Sequence, residues 1–240
     1  MRNTKKIKLF IGLSYILIIG FFLYFFFSKF SIQEITSYDF IKQNRMYFLS
    51  LKNSNLFLVS LIFLLLTILW VFPLLGFGSP VAILGGFILG KWIGTMVVVL
   101  GLSVGATFLY MFGNYFLKDF VRENFLDRFG KLEIKFRNSE FKYLLIYRFI
   151  GGVPFQISCL LPTMFNVKVK NFFFATFIGL FPQIFLSVAI GSGLEKIIEE
   201  NTEVPNMTDI ISSPDIYMPI LAFVCLVLVM IFFRKLFYRN

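Results

Sequence analysis

The sequence predicts an all-α integral membrane protein. Its expected core is an inverted repeat in which a re-entrant helical hairpin is followed by a transmembrane helix, with flanking N- and C-terminal transmembrane helices. Hydrophobic residues make up 58% of the 240 residues, and the mean hydropathy is +0.82. Two long apolar blocks carry no carboxylate, and a glycine-proline break interrupts each block. Apolar runs of this length predict membrane spans, and the breaks predict hairpins within them.

Acidic residues are confined to the connecting segments. No Asp or Glu occurs between Asp39 and Asp119, or between Glu140 and Glu195. A carboxylate pair, a metal cage or a proton relay inside the membrane therefore has no candidate residues. The sequence also has no histidine, the commonest general base and metal ligand. We expect no enzymatic activity, no metal and no cofactor.

The chain is basic, with a net charge of +10. In a membrane protein this excess fits the preference for basic cytoplasmic loops and attraction to anionic lipid head groups. Because the basic residues are spread over loops and termini, no nucleic-acid partner is expected. Membrane lipids with phosphate head groups are the expected partners, and a homo-oligomer is left open.

Residues 1–55 are predicted to hold a first transmembrane helix, over Leu9–Phe27, and an external segment. A signal peptide is the alternative, but the apolar run is long and no small-residue cleavage site follows it. Residues 195–240 are predicted to hold an acidic external loop and a last transmembrane helix, over Ile216–Phe233. Charge asymmetry then places both termini in the cytoplasm, and a bacterial inner membrane is the expected location.

The core is predicted to span residues 56–194, with a first re-entrant hairpin near 56–90. Its break contains Pro73, Gly78 and Pro80. Proline lacks an amide hydrogen and glycine resists ordering, so this stretch interrupts a helix. Broken backbone at membrane depth persists only where protein or water covers it.

The second hairpin is predicted near residues 143–166, with its break at Gly151, Gly152 and Pro154. Between the hairpins, 118–142 carries seven bases and five acids among regularly spaced apolar residues. This pattern favours an amphipathic helix on the membrane surface. A solvated linker helix is the alternative.

Small residues in the predicted long spans indicate close helix packing. Gly101 and Gly105 form a GxxxG pair in the first repeat, and Gly179 and Pro182 occupy the second. Such a pair lets helix backbones approach closely. It serves either ordinary packing or a functional contact. Gly105 and Gly179 lie 74 positions apart, as do Pro80 and Pro154, in keeping with a repeat.

Arg148 is the candidate functional residue, because an ionisable side chain inside a membrane segment marks a functional site by default. Its guanidinium is suited to binding a phosphate through two parallel hydrogen bonds. Gln156, Ser158 and Ser79 are candidates for further hydrogen bonds to a head group. The alternative is a structural arginine that caps hairpin carbonyls or reaches the cytoplasmic interface.

Two motifs resemble the DedA / SNARE-associated Golgi protein (VTT-domain) superfamily. The first is a Pro and Gly pattern over residues 72–108, containing Leu-Gly-Gly-Phe-Ile-Leu-Gly at 84–90. The second is Arg-Phe-Ile at 148–150, Val-Pro-Phe at 153–155 and a later Ala-Thr-x-x-Gly-x-x-Pro at 175–182. The similarity covers about residues 60–195. Gly151 stands where the family usually has proline, and Asn114 where an arginine is common.

This resemblance implies two opposed re-entrant loops and movement of phospholipids or polyprenyl phosphates between leaflets. The leading hypothesis is therefore a lipid flippase or scramblase. A transporter of a small solute or oxyanion, and a membrane assembly or scaffold protein, are the alternatives.

Overall fold

Helices dominate the part of the chain that the computed structural model describes, namely residues 2–29, 50, 55–119, 123, 139–150, 153–200, 212–214, 216–222 and 224–225. No strand occurs among those residues. The helices are α1 (Arg2–Lys29), α2 (Leu56–Val71), α3 (Gly78–Leu89), α4 (Lys91–Phe116), α5 (Glu140–Ile150), α6 (Phe155–Leu160) and α7 (Val169–Glu200). A short 3-10 helix, Leu161–Phe165, continues directly from α6.

Several predicted features lie outside the described residues. They are Gly151 and Gly152, most of the external segment, of the amphipathic helix 118–142 and of the acidic loop, and half of the last transmembrane helix.

A compact turn at residues 72–77 joins α2 to α3. The indole nitrogen of Trp70 donates to the carbonyl of Phe77 at 2.8 Å and closes the turn. Gly76 lies directly against that indole, and no side chain would fit there. Leu75 adopts a positive φ of 57°, a conformation that costs a bulky residue about 1 kcal/mol or more.

Two helix boundaries differ from the sequence prediction. The break was expected to run to Pro80, but α3 already begins at Gly78. Proline is tolerated in the first turn of a helix, where its missing amide hydrogen removes no intrahelical bond. At the other end of the core, α7 continues past residue 194 to Glu200. Charged residues end an apolar span without ending a helix, because the helix satisfies its own backbone.

The first hairpin lies along α4. A Cβ on Gly101 would meet Thr67 at 2.7 Å, and one on Gly105 would meet Val71 at the same distance, so α2 runs parallel to α4. Helix α3 returns in the opposite direction, with Gly85 against Gly94 near the start of α4. The hairpin therefore begins and ends at the level where α4 begins.

The second hairpin lies along α7, as the first hairpin lies along α4. Near the start of both helices, the Glu140 carboxylate accepts from the Asn171 side chain at 2.7 Å. Further along, a Cβ on Gly179 would meet the Cβ of Arg148 at 2.6 Å, so α5 runs parallel to α7. The chain then returns through α6 and the 3-10 helix to Val169, where α7 begins.

The two long helices pack antiparallel in the centre. Gly94, near the start of α4, contacts Val188, near the end of α7. At the opposite level Tyr110 stacks on Phe172 with ring centroids 4.5 Å apart. Two buried apolar clusters fill the space between these helices and the hairpins, one at each level. Because the long helices are antiparallel, the two hairpins approach from opposite ends of the core.

Two helices of the described chain are long and apolar enough to cross a membrane, judged by length and composition: α4 and the stretch Val169–Ile197 of α7. The apolar stretch Phe10–Phe21 of α1 is shorter. The spanning role predicted for α1 stays a prediction.

Candidate functional site

Arg148 lies in the last turn of α5 and is almost completely buried, with 3% of its surface exposed. One terminal nitrogen, Nη1, donates to Ser158 Oγ at 2.5 Å, and the other, Nη2, lies 3.3 Å from Cys159 Sγ. Both partners belong to α6. Among the described residues, the guanidinium thus joins the two arms of the second hairpin through side-chain contacts.

Two aromatic rings flank the guanidinium. Its central carbon lies 5.5 Å from the ring centroid of Phe155 and 5.2 Å from that of Phe172. Rings at this distance attract a cation through their negative faces. Gly179 provides the space for the arginine stem, since a larger residue would contact the Arg148 Cβ.

A cavity of about 160 Å³ adjoins Arg148 in the middle of the fold. Both hairpins and both long helices contribute to its wall. The lining residues are Phe77, Gly78, Ser79, Leu102, Tyr147, Arg148, Val153, Phe155, Ser158, Leu180, Gln183 and Ile184. The cavity therefore lies where α3 and α6, the second arms of the two hairpins, come together.

Among the described residues, the lining carries one formal charge, that of Arg148, and no carboxylate. The Nε atom of Arg148 and the hydroxyl of Tyr147 are buried, and neither has a hydrogen-bond partner in the part of the chain that the structure describes. A buried cation without a counter-ion is costly, and an unpartnered polar atom adds to that cost. The arrangement is therefore suited to accepting an anion.

The structure brings three of the four predicted head-group residues to this cavity: Arg148, Ser158 and Ser79. Gln156 is placed differently. Its side-chain amide donates to the carbonyl of Leu75 at 2.6 Å, which ties the second hairpin to the turn of the first. Its predicted contact with a head group stays a prediction.

Sequence reasoning missed Tyr147 and Gln183 as lining residues. Tyr147 directly precedes Arg148, and only the local helix geometry shows that adjacent side chains border one cavity. Gln183 follows Pro182 inside α7. A polar side chain within a long apolar run was the available signal.

The predicted break residues occupy different positions. Pro73 lies in the turn at residues 72–77 that joins α2 to α3, and its carbonyl accepts from the Tyr15 hydroxyl of α1 at 3.0 Å. Gly78 and Pro80 belong to the first turn of α3. Pro154 is the N-cap of α6.

Comparison with known proteins places this site inside a recognised domain. The model of the VTT domain matches residues 72–193, just over half of the chain. The chain is 27% identical over 118 residues to the "Transmembrane protein 41 homolog" of Caenorhabditis elegans, covering 48% of each protein. It is 28% identical over 117 residues to the protein of the same name from Dictyostelium discoideum, covering 48% of this chain and 35% of that protein.

The chain thus spans about half the length, or less, of these two relatives. No solved structure matches it significantly. The matched domain runs from the turn of the first hairpin to the end of the apolar part of α7, and includes Arg148 and the whole cavity lining. The chain therefore belongs to the VTT-domain family of membrane proteins.

Proposed function

We propose that this protein moves phosphate-bearing lipid head groups between the leaflets of a membrane, as a flippase or scramblase for phospholipid or polyprenyl phosphate. One observation carries the proposal. A buried arginine, which has no carboxylate partner among the described residues, borders a cavity between two helical hairpins. In a membrane, such a cation is expensive unless its function requires it.

The route is proposed to be a seam between two re-entrant hairpins that enter from opposite faces. The antiparallel packing of α4 and α7 supports this arrangement, as does the parallel packing of α2 on α4 and of α5 on α7. Inverted repeats with interrupted helices are typical of transporters, whose binding sites lie near the midplane. The lipid tails would remain in hydrocarbon while the head group follows the polar seam.

The charge of the head group sets the barrier that such a seam must lower. An isolated phosphate in hydrocarbon loses its hydration, at a cost of tens of kcal/mol in the limiting case. The Arg148 guanidinium offers charge-assisted hydrogen bonds along the route. Ser79 adds an uncharged hydroxyl donor in the same cavity, whereas the Ser158 hydroxyl already donates to the Phe155 carbonyl. Together these groups replace part of the lost water.

The proposed location is a bacterial inner membrane with both termini in the cytoplasm. Membership of a membrane-protein family supports a location in a membrane. The orientation rests on the basic terminal segments and the acidic segment 195–215, because basic segments favour the cytoplasmic side.

A vesicle assay tests this function. The full chain is reconstituted into liposomes that contain fluorescent phosphatidylglycerol, and a membrane-impermeant quencher is added outside. The quencher reaches only label in the outer leaflet, which is about half of the total. If the protein translocates lipid, the quenched fraction should rise from about half towards all of the label within minutes. Quenching that stops at half, as in protein-free vesicles, would contradict the proposal.

A transporter of a small oxyanion is the second candidate. The cavity volume of about 160 Å³ favours it, because a free phosphate would also fit. Uptake of radiolabelled phosphate into sealed proteoliposomes, without lipid translocation, would favour this candidate over the first.

Lipid translocation is expected to be independent of a proton gradient. The apolar blocks contain no Asp, Glu or His, so no side chain in them is suited to carry a proton at neutral pH. Dissipating an imposed gradient of one pH unit with a protonophore should leave the translocation rate within about 20% of its starting value. A severalfold change, absent from protein-free vesicles, would contradict this expectation.

A further inference from the structure

The N-terminus of α3 forms part of the cavity wall near Arg148. Gly78 and Ser79 are the first two residues of this helix, and both line the cavity. The preceding residue, Phe77, provides no side-chain cap. The helix has 12 residues, long enough to carry a partial positive charge at its start.

The amide groups of this first turn remain available. Among the described residues, neither Gly78 nor Ser79 donates a backbone hydrogen bond, and Pro80 has no amide hydrogen to donate. The carbonyl one turn before Ser79 belongs to Leu75, and the Gln156 side chain occupies it. Gln156 thus holds the hairpins together and donates to a carbonyl that, among the described residues, does not accept from the Ser79 amide.

Arg148 supplies an independent indication of a ligand. Arg148 is 97% buried, since only 3% of its surface is exposed, and it lines the same cavity. Its Nε has no hydrogen-bond partner among the described residues. The Tyr147 hydroxyl is a second unpartnered group in the lining. Free amides at a helix start and a buried guanidinium both favour an oxyanion.

We propose that the cavity is a two-sided phosphate site, in which the amides of Gly78 and Ser79 bind one part of the phosphate and Arg148 binds another. This inference rests on the proposed function and deepens it. The phosphate contacts both hairpins at once, so the first hairpin binds substrate through its backbone, although it carries no charged residue between Asn53 and Gly90.

Substituting Ser79 with aspartate tests the α3 side of the site. A carboxylate at this position would interact with the helix start and with Arg148, and would replace the phosphate. In detergent, inorganic phosphate at about 100 times its Kd should raise the Tm of the unsubstituted protein by about 5 °C or more. Ser79→Asp should raise the Tm without phosphate and abolish the response. Ser79→Asn, whose side chain is as large as that of aspartate but uncharged, should keep the rise in Tm with phosphate.

A second variant covers the case in which Ser79→Asp does not fold. Ser79→Pro removes one amide donor at a position where proline fits a helix start. Loss of one hydrogen bond to an anion predicts about tenfold weaker phosphate binding. An unchanged affinity in Ser79→Pro, or a phosphate response in Ser79→Asp equal to that in Ser79→Asn, would overturn the proposal.

The source of the phosphate is resolved by a parallel titration with dihexanoyl phosphatidylglycerol. Binding of both probes, each weakened by Ser79→Pro, identifies a head-group site. Binding of inorganic phosphate alone identifies a free-oxyanion site. If the site binds phosphate as proposed but the vesicle assay shows no lipid translocation, the proposed function fails and the site stands. If lipid translocation is normal in both Ser79→Pro and Ser79→Asp, the proposed phosphate site fails and the proposed function stands.

Discussion

Replacing Arg148 with alanine is expected to slow lipid translocation by about 100-fold, since a charge-assisted hydrogen bond to a phosphate contributes about 1.5–3 kcal/mol. Arg148 is the one charged residue among the described residues of the cavity lining, so none of the others compensates for its loss. The rate is measured from the quenching of fluorescent phosphatidylglycerol in vesicles.

The translocation rate of Arg148→Lys should lie between those of the unsubstituted protein and Arg148→Ala, about tenfold below the former. Lysine keeps the charge but cannot form two parallel hydrogen bonds. Val71→Ala is the matched control. Val71 packs on Gly105 of α4 as Arg148 packs on Gly179 of α7, and it is fully buried. We expect this control to lose stability and keep translocation. If both Arg148 variants translocate lipid at the original rate, Arg148 has a structural role only.

Gly86→Ala and Gly191→Ala are expected to have the largest effects on stability. Where α3 crosses α7, a Cβ on Gly86 would overlap the carbonyl oxygen of Val188, and one on Gly191 would overlap that of Ile83. Backbone cannot rotate away as a side chain can, so the helices would have to separate. We expect each substitution to cost about 3 kcal/mol or more, at the upper end for overpacked cores, and the pair to prevent folding.

Thermal unfolding in detergent measures this cost. Gly20→Ala in α1 is the control, because the described residues place no atom beyond its own stretch of helix within 4 Å of the position of its Cβ, and it should be neutral or slightly stabilising. A Tm for Gly86→Ala equal to that of the control would mean that α3 and α7 do not cross this closely.

The carboxylate-free blocks and their glycine-proline breaks were sufficient to predict helices interrupted near Pro73 and Pro154. The first residue of α3 was not predictable, because proline and glycine are as compatible with a helix start as with a turn. The end of α7 at Glu200 was missed for another reason. Charge marks the edge of an apolar span and carries little information on where a helix ends.

The candidate site was predictable only in part. Arg148 was evident from the sequence, since it is the one charge between Lys142 and Lys168. The free amides of Gly78 and Ser79 were not, because a backbone donor has no signature in side-chain identity. Gln156 was assigned to a head group from its polarity, but its amide binds the Leu75 carbonyl, 81 residues away in sequence. Such a pairing depends on how the two hairpins dock.

Cysteine accessibility measures most directly whether two hairpins enter from opposite faces. Cysteines introduced one at a time at Asn55 and Lys91 mark the two ends of the first hairpin, and those at Ser139 and Lys168 mark the ends of the second. The background is Cys225→Ser, which retains only the buried Cys159. With an impermeant maleimide in vesicles of known orientation, the first pair should label from one face and the second pair from the other. Labelling of Asn55 and Lys91 from different faces would mean that the first hairpin crosses the membrane, and the proposed seam would not exist.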